Sequence, residues 1–404
     1  MKSRFLRGVV VCALLLVTPN VTHAQNALPP ECQQASLPSH DPKFPADQLI
    51  LVCIPADWNG NLVLYAHSFV PPQAPLVLRI AELTLTDGTF VPSVLLAQGF
   101  AFATSSFHKN GAVTQQAVKD LSDLLNYFKS LVRHRLFKLK KVFIIGASEG
   151  GLPVMRLIEQ QPHKYDAALV LCAPIGGASE QIRYAGDFRV VFDYFFPVVF
   201  TFPPGAPGEQ PFGAFSVPED AFLFWERAYV RRIIAAISKN PMAAAQLFNV
   251  TGAAVDPEDP STAIETAVGL LFYSIWETND IIATTGGIPY DNRSTVYVGS
   301  ADDSALNAGV ERVKGDRRAQ SYTRRFYQTT GELQRPVVTL HNTLDPITPF
   351  QHEVNYSQLV ATAGASDFLT EVPVEDYGHC NFTTEEILRA FGLMVQQTTG
   401  SIQP

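Results

Sequence analysis

The sequence predicts an α/β fold whose core of alternating strands and helices is split by a large, mainly helical insertion. Three observations predict it. Short apolar runs alternate with stretches of helical period between residues 48 and 172. That alternation stops from 173 to 334. It resumes from 335 to the end of the sequence at 404. A chain of this length exceeds one ordinary domain, so a core plus an inserted lid is the expected organisation.

The N-terminus reads as a targeting signal. Lys2, Arg4 and Arg7 precede an apolar run, Gly8 to Val17, that is too short to span a bilayer. Thr22-His23-Ala24 is a small-x-small cleavage site, so residues 1–24 are expected to be removed and the product to be secreted or periplasmic. Val11 before Cys12 argues against a lipoprotein signal. Residues 25–47 are Pro-rich and read as an irregular arm.

The first part of the core, 48–172, opens with strands at Gln48–Ile54 and Asn61–Ala66. Asn59-Gly60 between them signals a two-residue hairpin. A helix with a connection is expected over 76–98, then a short strand at Phe100–Ser105. Ala112 to Arg135 has helical period, with Val118, Leu121, Leu124, Leu125, Phe128 and Leu131 on one stripe. Val142–Ile145 is a buried strand, Leu152–Ile158 begins a helix, and Ala167–Cys172 is the next core strand. The insertion, 173–334, carries helical stretches near 219–238, 262–276 and 303–328. Its aromatic run at 192–202 reads mainly as lid core, with pocket lining as the second reading. The core returns over 335–404. A strand is expected at Pro336–His341, a helix at Phe350–Ala363, a strand at Phe368–Val374 and a closing helix at Thr384–Gln397. Thr383 or Thr384 with Glu385 or Glu386 would cap that last helix.

Composition narrows the partners. Net charge is −8 and the basic residues are scattered, which argues against nucleic acid or an anionic membrane surface. No stretch after the leader is long and apolar enough for membrane insertion. Oligomeric state leaves no readable signal. Four cysteines follow Ala24, and an even number in an exported chain permits two disulfides with three connectivities. Cys32–Cys53 is the simplest local pair. Cys172–Cys380 would then tie the end of a core strand to the loop carrying His379. Two buried free thiols are the alternative.

The chemistry centres on Gly146-Ala147-Ser148-Glu149-Gly150-Gly151. A strand, a Gly-x-Ser-x-Gly turn and a helix form the context of a nucleophile elbow, with Ser148 strained and raised above the sheet. The competing reading is an ordinary Gly/Ser-rich turn that binds a phosphate. A serine hydroxyl needs a neutral imidazole to take its proton and a carboxylate to hold that imidazole. In this architecture the acid and then the histidine follow the serine. His379 lies in a loop between the last strand and the last helix and is the expected base. His341 ends a strand and His352 starts a helix. Asp345 follows a core strand in a loop stiffened by Pro346 and Pro349, and is the expected acid ahead of Glu353 and Asp376. Two backbone N–H groups should hold the developing oxyanion: that of Glu149, and that of Ser68 or Phe69. The Glu149 side chain reads as a solvated or lid-facing carboxylate, with recognition of a basic substrate group as the sharper alternative. No metal-ligand spacing such as His-Glu-x-x-His occurs, and this chemistry requires neither metal nor organic cofactor.

At these residues the chain resembles the α/β-hydrolase superfamily. Tyr65-Ala66-His67-Ser68 is similar to its His-Gly oxyanion loop, with Ser68 where the family usually has Gly. Gly146–Gly151 is similar to its elbow, and Leu340-His341…Asp345-Pro346 and Gly378-His379 to its acid and base loops. Gly150-Gly151 resembles the prolyl-oligopeptidase-like branch and also occurs in esterases. The resemblance covers about residues 50–375 outside the insertion. It implies an eight-stranded, mostly parallel sheet with helices on both faces, and serine hydrolase chemistry. The expected activity is cleavage of a small-molecule or polymeric ester through an acyl-enzyme. A serine peptidase or amidase, and a non-catalytic binding protein on the same fold, are the alternatives.

Overall fold

The computed structural model of the chain describes residues 28–39, 42–135 and 138–399; the expected targeting segment lies outside them. The first part of the core contains β1 (Cys32–Leu37), β2 (Gln48–Cys53), β3 (Asn61–Ala66), α1 (Val91–Ala97), β4 (Ala101–Ser105) and α2 (Thr114–Val132). It continues with β5 (Lys141–Ala147), α3 (Gly151–Gln160) and β6 (Ala167–Leu171). Between β6 and the return to the sheet lie α4 (Ala178–Phe195) and a small ribbon, β7 (Thr201–Phe202) with β8 (Gln210–Pro211). Then come α5 (Val230–Lys239), α6 (Pro241–Thr251), α7 (Thr262–Trp276), α8 (Thr278–Thr285), α9 (Asp303–Gly309) and α10 (Arg317–Tyr327). The chain closes with β9 (Val337–Leu344), α11 (Gln351–Thr362), β10 (Leu369–Tyr377) and α12 (Thr384–Thr399).

Eight strands form one sheet in the order β1-β2-β4-β3-β5-β6-β9-β10. From β4 through β10 neighbouring strands run parallel, while β1 and β2 pair antiparallel with their neighbours. This is the α/β-hydrolase fold. The central strands read as unbroken apolar runs because both their faces are covered. Leu62, Leu64 and Ile144 pack with Leu121 and Phe128 of α2 and Met155 of α3 on one face. Val63, Phe143, Ile145 and Leu169 pack with Phe391 and Met394 of α12 on the other. The alternation along β3 follows from the two-residue period of a strand.

Four expectations are corrected. The hairpin at Asn59-Gly60 does not form, because β4 lies between β2 and β3. Asn59 instead ties the turn to the segment before β4: its N–H donates to the Gly99 carbonyl at 2.9 Å and its side-chain amide to that of Gln98 at 3.0 Å. Gly60 still needs its positive φ of +94°, so the dipeptide signalled a turn but not its partner strand. Part of the arm, 32–37, is an edge strand. Its polar sequence hid it, since β1 pairs on one side only and buries little. The stripe on α2 ends at Val132, which is buried, whereas Leu131 is exposed. The insertion also holds helices α4, α6 and α8 that its sequence did not announce.

Both disulfides are present. Cys32 and Cys53 face each other across β1 and β2, and Cys172 bonds Cys380. The insertion builds its own core, in which Phe188, Phe192, Phe196, Phe200, Trp225 and Phe272 are buried together. The aromatic run therefore holds the insertion together. At the start of α12 Thr383 and Glu386 form the capping box, with Thr383 N–H on Glu386 at 2.7 Å and Glu386 N–H on the Thr383 hydroxyl at 3.2 Å.

Candidate active site

Strand β5 ends in a turn so tight that side chains are excluded two residues before and two residues after Ser148. A Cβ at Gly146 would meet the Gly150 carbonyl, and one at Gly150 would meet the carbonyls of Ala66 and His67. Ser148 itself has φ +51°, a left-handed conformation that costs on the order of 1–3 kcal/mol for a residue with a Cβ. The elbow is paid for by the packed strands around it, and it lifts the Ser148 hydroxyl to the wall of a cavity.

The loop after β10 brings His379 to that hydroxyl. His379 Nε2 lies 2.8 Å from Ser148 Oγ, and Nδ1 lies 2.7 Å from Asp345 Oδ2. Asp345 is 1% exposed and also accepts the N–H groups of Ile347 and Thr348 at 2.8 and 2.9 Å. Burial alone would raise its pKa. The charge of His379 and hydrogen bonds from His341 and His379 outweigh that and hold the carboxyl well below the usual range. An ionised Asp345 can only accept, so Nδ1 of His379 carries the proton and Nε2 is left to accept one from Ser148.

Two residues that sequence reasoning passed over hold this chain of groups. The buried Asn342 side chain clamps the Asn381 backbone, donating to its carbonyl at 3.0 Å and accepting its N–H at 3.0 Å. The base loop is thereby pinned to β9. The Thr348 hydroxyl sits 2.7 Å from the Cys172 carbonyl and 3.0 Å from Asp345 Oδ2. The Cys172–Cys380 bond fixes the same loop covalently.

The other candidates are elsewhere. His341 lies between Glu353 Oε1 at 2.9 Å and the Thr348 carbonyl at 2.7 Å, so both its nitrogens donate. Burial lowers its pKa, but bonds to Asp345 and Glu353 win and push it up to about 10. Glu353 serves His341 and Thr339 rather than His379. His352 pairs with Gln181, and burial, then the His341 charge, pushes it down to about 3. Asp376 receives the side-chain amide of Asn381.

The two residues expected to share the second oxyanion donor differ in what they bind. The Ser68 N–H donates to Glu82 Oε2 at 3.2 Å, so it is committed to that carboxylate. Of the pair Ser68 and Phe69, Phe69 is left, and it lines the cavity beside Ser148 and Glu149. Cys172, His379 and Cys380 lie close enough to suggest a metal cluster, but both sulfurs are spent in the disulfide.

The cavity, about 140 Å³, lies between the elbow and the insertion, with walls that include Leu152, Ile182, Leu270 and Tyr273. Two acids, Glu149 and Glu277, interrupt its apolar lining, as does Arg189, whose guanidinium is held by Asp193 at 2.8 Å, the Ser274 hydroxyl at 2.5 Å and the Phe212 carbonyl at 3.2 Å. Burial first, then the charge of Glu277, raises the Glu149 carboxyl well above its ordinary value. Burial first, then Asp280, pushes Glu277 up to about 8. Glu149 accepts the Val113 N–H at 3.3 Å.

No protein-family model matches the chain, and no curated protein does. Solved structures align with most of its length. Acylaminoacyl peptidase of Pyrococcus horikoshii aligns at 8% identity and TM-score 0.46, over 93% of this chain and 43% of that one. Candida antarctica lipase A aligns at 14% and 0.45, over 92% and 82%. The rice cell wall degrading esterase LipA from Xanthomonas oryzae, in a ligand-bound form, aligns at 14% and 0.43, over 88% and 85%. The chain thus spans less than half the length of the acylaminoacyl peptidase.

Proposed function

We propose that this protein is an exported serine hydrolase that cleaves carboxylic esters through an acyl-enzyme. The observation that carries the reading is the chain from Ser148 through His379 to Asp345, at 2.8 and 2.7 Å, opening on an apolar cavity. His379 Nε2 takes the proton of Ser148 as Oγ bonds to the acyl carbon. The oxygen that gains charge is held by the N–H groups of Glu149 and Phe69. His379 gives the proton to the departing alcohol, and the C–O bond breaks. Water, deprotonated by the same nitrogen, then attacks the acyl-enzyme and releases the acid and Ser148. Losing one oxyanion donor costs about 3 kcal/mol in the barrier. The two disulfides support an oxidising destination, as does the expected leader.

Turnover of p-nitrophenyl esters of graded acyl length tests the reading against matched aminoacyl anilides. The ester series should be faster, and Ser148→Ala should abolish it. Faster anilide turnover would make the protein an amidase or peptidase, and no turnover by the intact protein would leave a binding function.

A further inference from the structure

The cavity wall beside Ser148 carries polar groups that the hydrolysis does not use. The Glu149 side chain lines the same cavity as Ser148, and Glu277 enters it from the junction of α7 and α8. Among the described residues neither acid makes an ion pair. The cation acting on both is Lys109. Its ammonium is already held by Asp280 at 2.9 and 3.0 Å and by Thr284 at 3.1 Å. Asp280 in turn accepts the Ala112 N–H at 2.7 Å. That group is therefore closed on itself.

A third polar group faces the same space. Tyr327 is 6% exposed and lines the cavity, and its hydroxyl has no hydrogen-bond partner among the described residues. Apart from burial, the fields that bear on it come first from Glu149, and also from Tyr322, Asp280 and Glu277. An unpaired buried hydroxyl carries a desolvation cost that nothing offsets. Two desolvated carboxyl groups without a counter-ion add to that cost. A cation in the cavity removes both costs.

We propose that Glu149, Glu277 and Tyr327 form a subsite for a primary ammonium carried on the acyl half of the substrate, beside Ser148. Three oxygen acceptors match the three N–H donors of such a group. Phe215, Leu270, Ile281 and Pro289 in the same cavity receive an apolar side chain. The assignment to the acyl half rests on the serine hydrolase reading, because Glu149 adjoins the nucleophile. The cation site itself does not require turnover.

Calorimetry on the full chain carrying Ser148→Ala tests it, with 2-phenylethylamine and 2-phenylethanol as probes that share one skeleton. At about pH 7.5 the amine should bind at least about tenfold tighter than the alcohol, and Glu277→Gln should remove most of that advantage. Tyr327→Phe deletes only the hydroxyl and should weaken the amine about threefold or more while the melting temperature holds. Equal affinities overturn the proposal, as does an advantage that survives Glu277→Gln and Glu149→Gln, or an amine affinity unchanged in Tyr327→Phe. Ester turnover by the unaltered protein separates the two claims. Amine preference without turnover sinks the hydrolase reading alone, and turnover without amine preference sinks the subsite alone.

Discussion

Asp345 shows how much of the proposed reaction centre rests on atoms that would never touch substrate. Its carboxylate is dry, accepts two backbone N–H groups, and meets His379 at 2.7 Å. Asp345→Asn preserves that shape but can present an N–H₂ to Nδ1, which flips the tautomer and leaves Nε2 protonated. Ester kcat should fall about 10³- to 10⁴-fold with KM little changed. A drop below tenfold would mean that Asp345 does not orient the base. Asn342→Ala removes both hydrogen bonds that clamp the base loop, and kcat should fall about tenfold, the equivalent of about 1.4 kcal/mol of lost positioning. A motif and a chain order pointed to Ser148, Asp345 and His379, and the fold brings the three within hydrogen-bond distance of one another in series. Asn342 was not legible, since its role depends on a backbone 39 residues away. Glu277 and Tyr327 sit in the insertion, where no motif marks a residue as facing the cavity.

At the scale of elements, the elbow and the base loop are held by opposite means, close packing in one and a covalent tie in the other. Gly150→Ala drives a methyl group into the carbonyls that end β3, so strand and helix must separate. Soluble yield should collapse, and any folded fraction should be destabilised by about 3 kcal/mol or more in denaturant unfolding. A variant as stable as the parent would contradict the packing described. The strand assignments survived in type better than in pairing. A two-residue period locates a strand, but which strand lies beside it depends on crossover connections that local sequence does not encode. The buried strands were therefore read correctly while the β2–β3 pairing was not. Edge strand β1 was missed because it has one polar face and one partner.

The whole molecule joins a doubly covered sheet to an insertion with a separate core, and the acids at their junction make its stability depend on pH. Glu277 stands at about 8 in the folded chain, against 4.5 as its ordinary value. Between those limits the folded state holds a proton that the unfolded state has released. Stability from this group is full below the lower limit and is lost as pH rises through the upper one. Glu277→Gln removes the effect. The variant should gain on the order of 3.5 kcal/mol on the parent between pH 5 and pH 8 in paired unfolding curves. A gain in the opposite direction would mean that Glu277 is ionised at low cost. Glu149, Glu277 and Asp280 face one another with Lys109 and Tyr327 as the charged and phenolic neighbours, so amine affinity should rise over the same interval.

The most direct test of the central claim is covalent labelling by a fluorophosphonate, located by mass spectrometry of the digested protein. One label is expected, on Ser148, absent in Ser148→Ala and slowed at least about a hundredfold in His379→Ala. A folded protein that takes no label, or takes it on another serine, would contradict that claim.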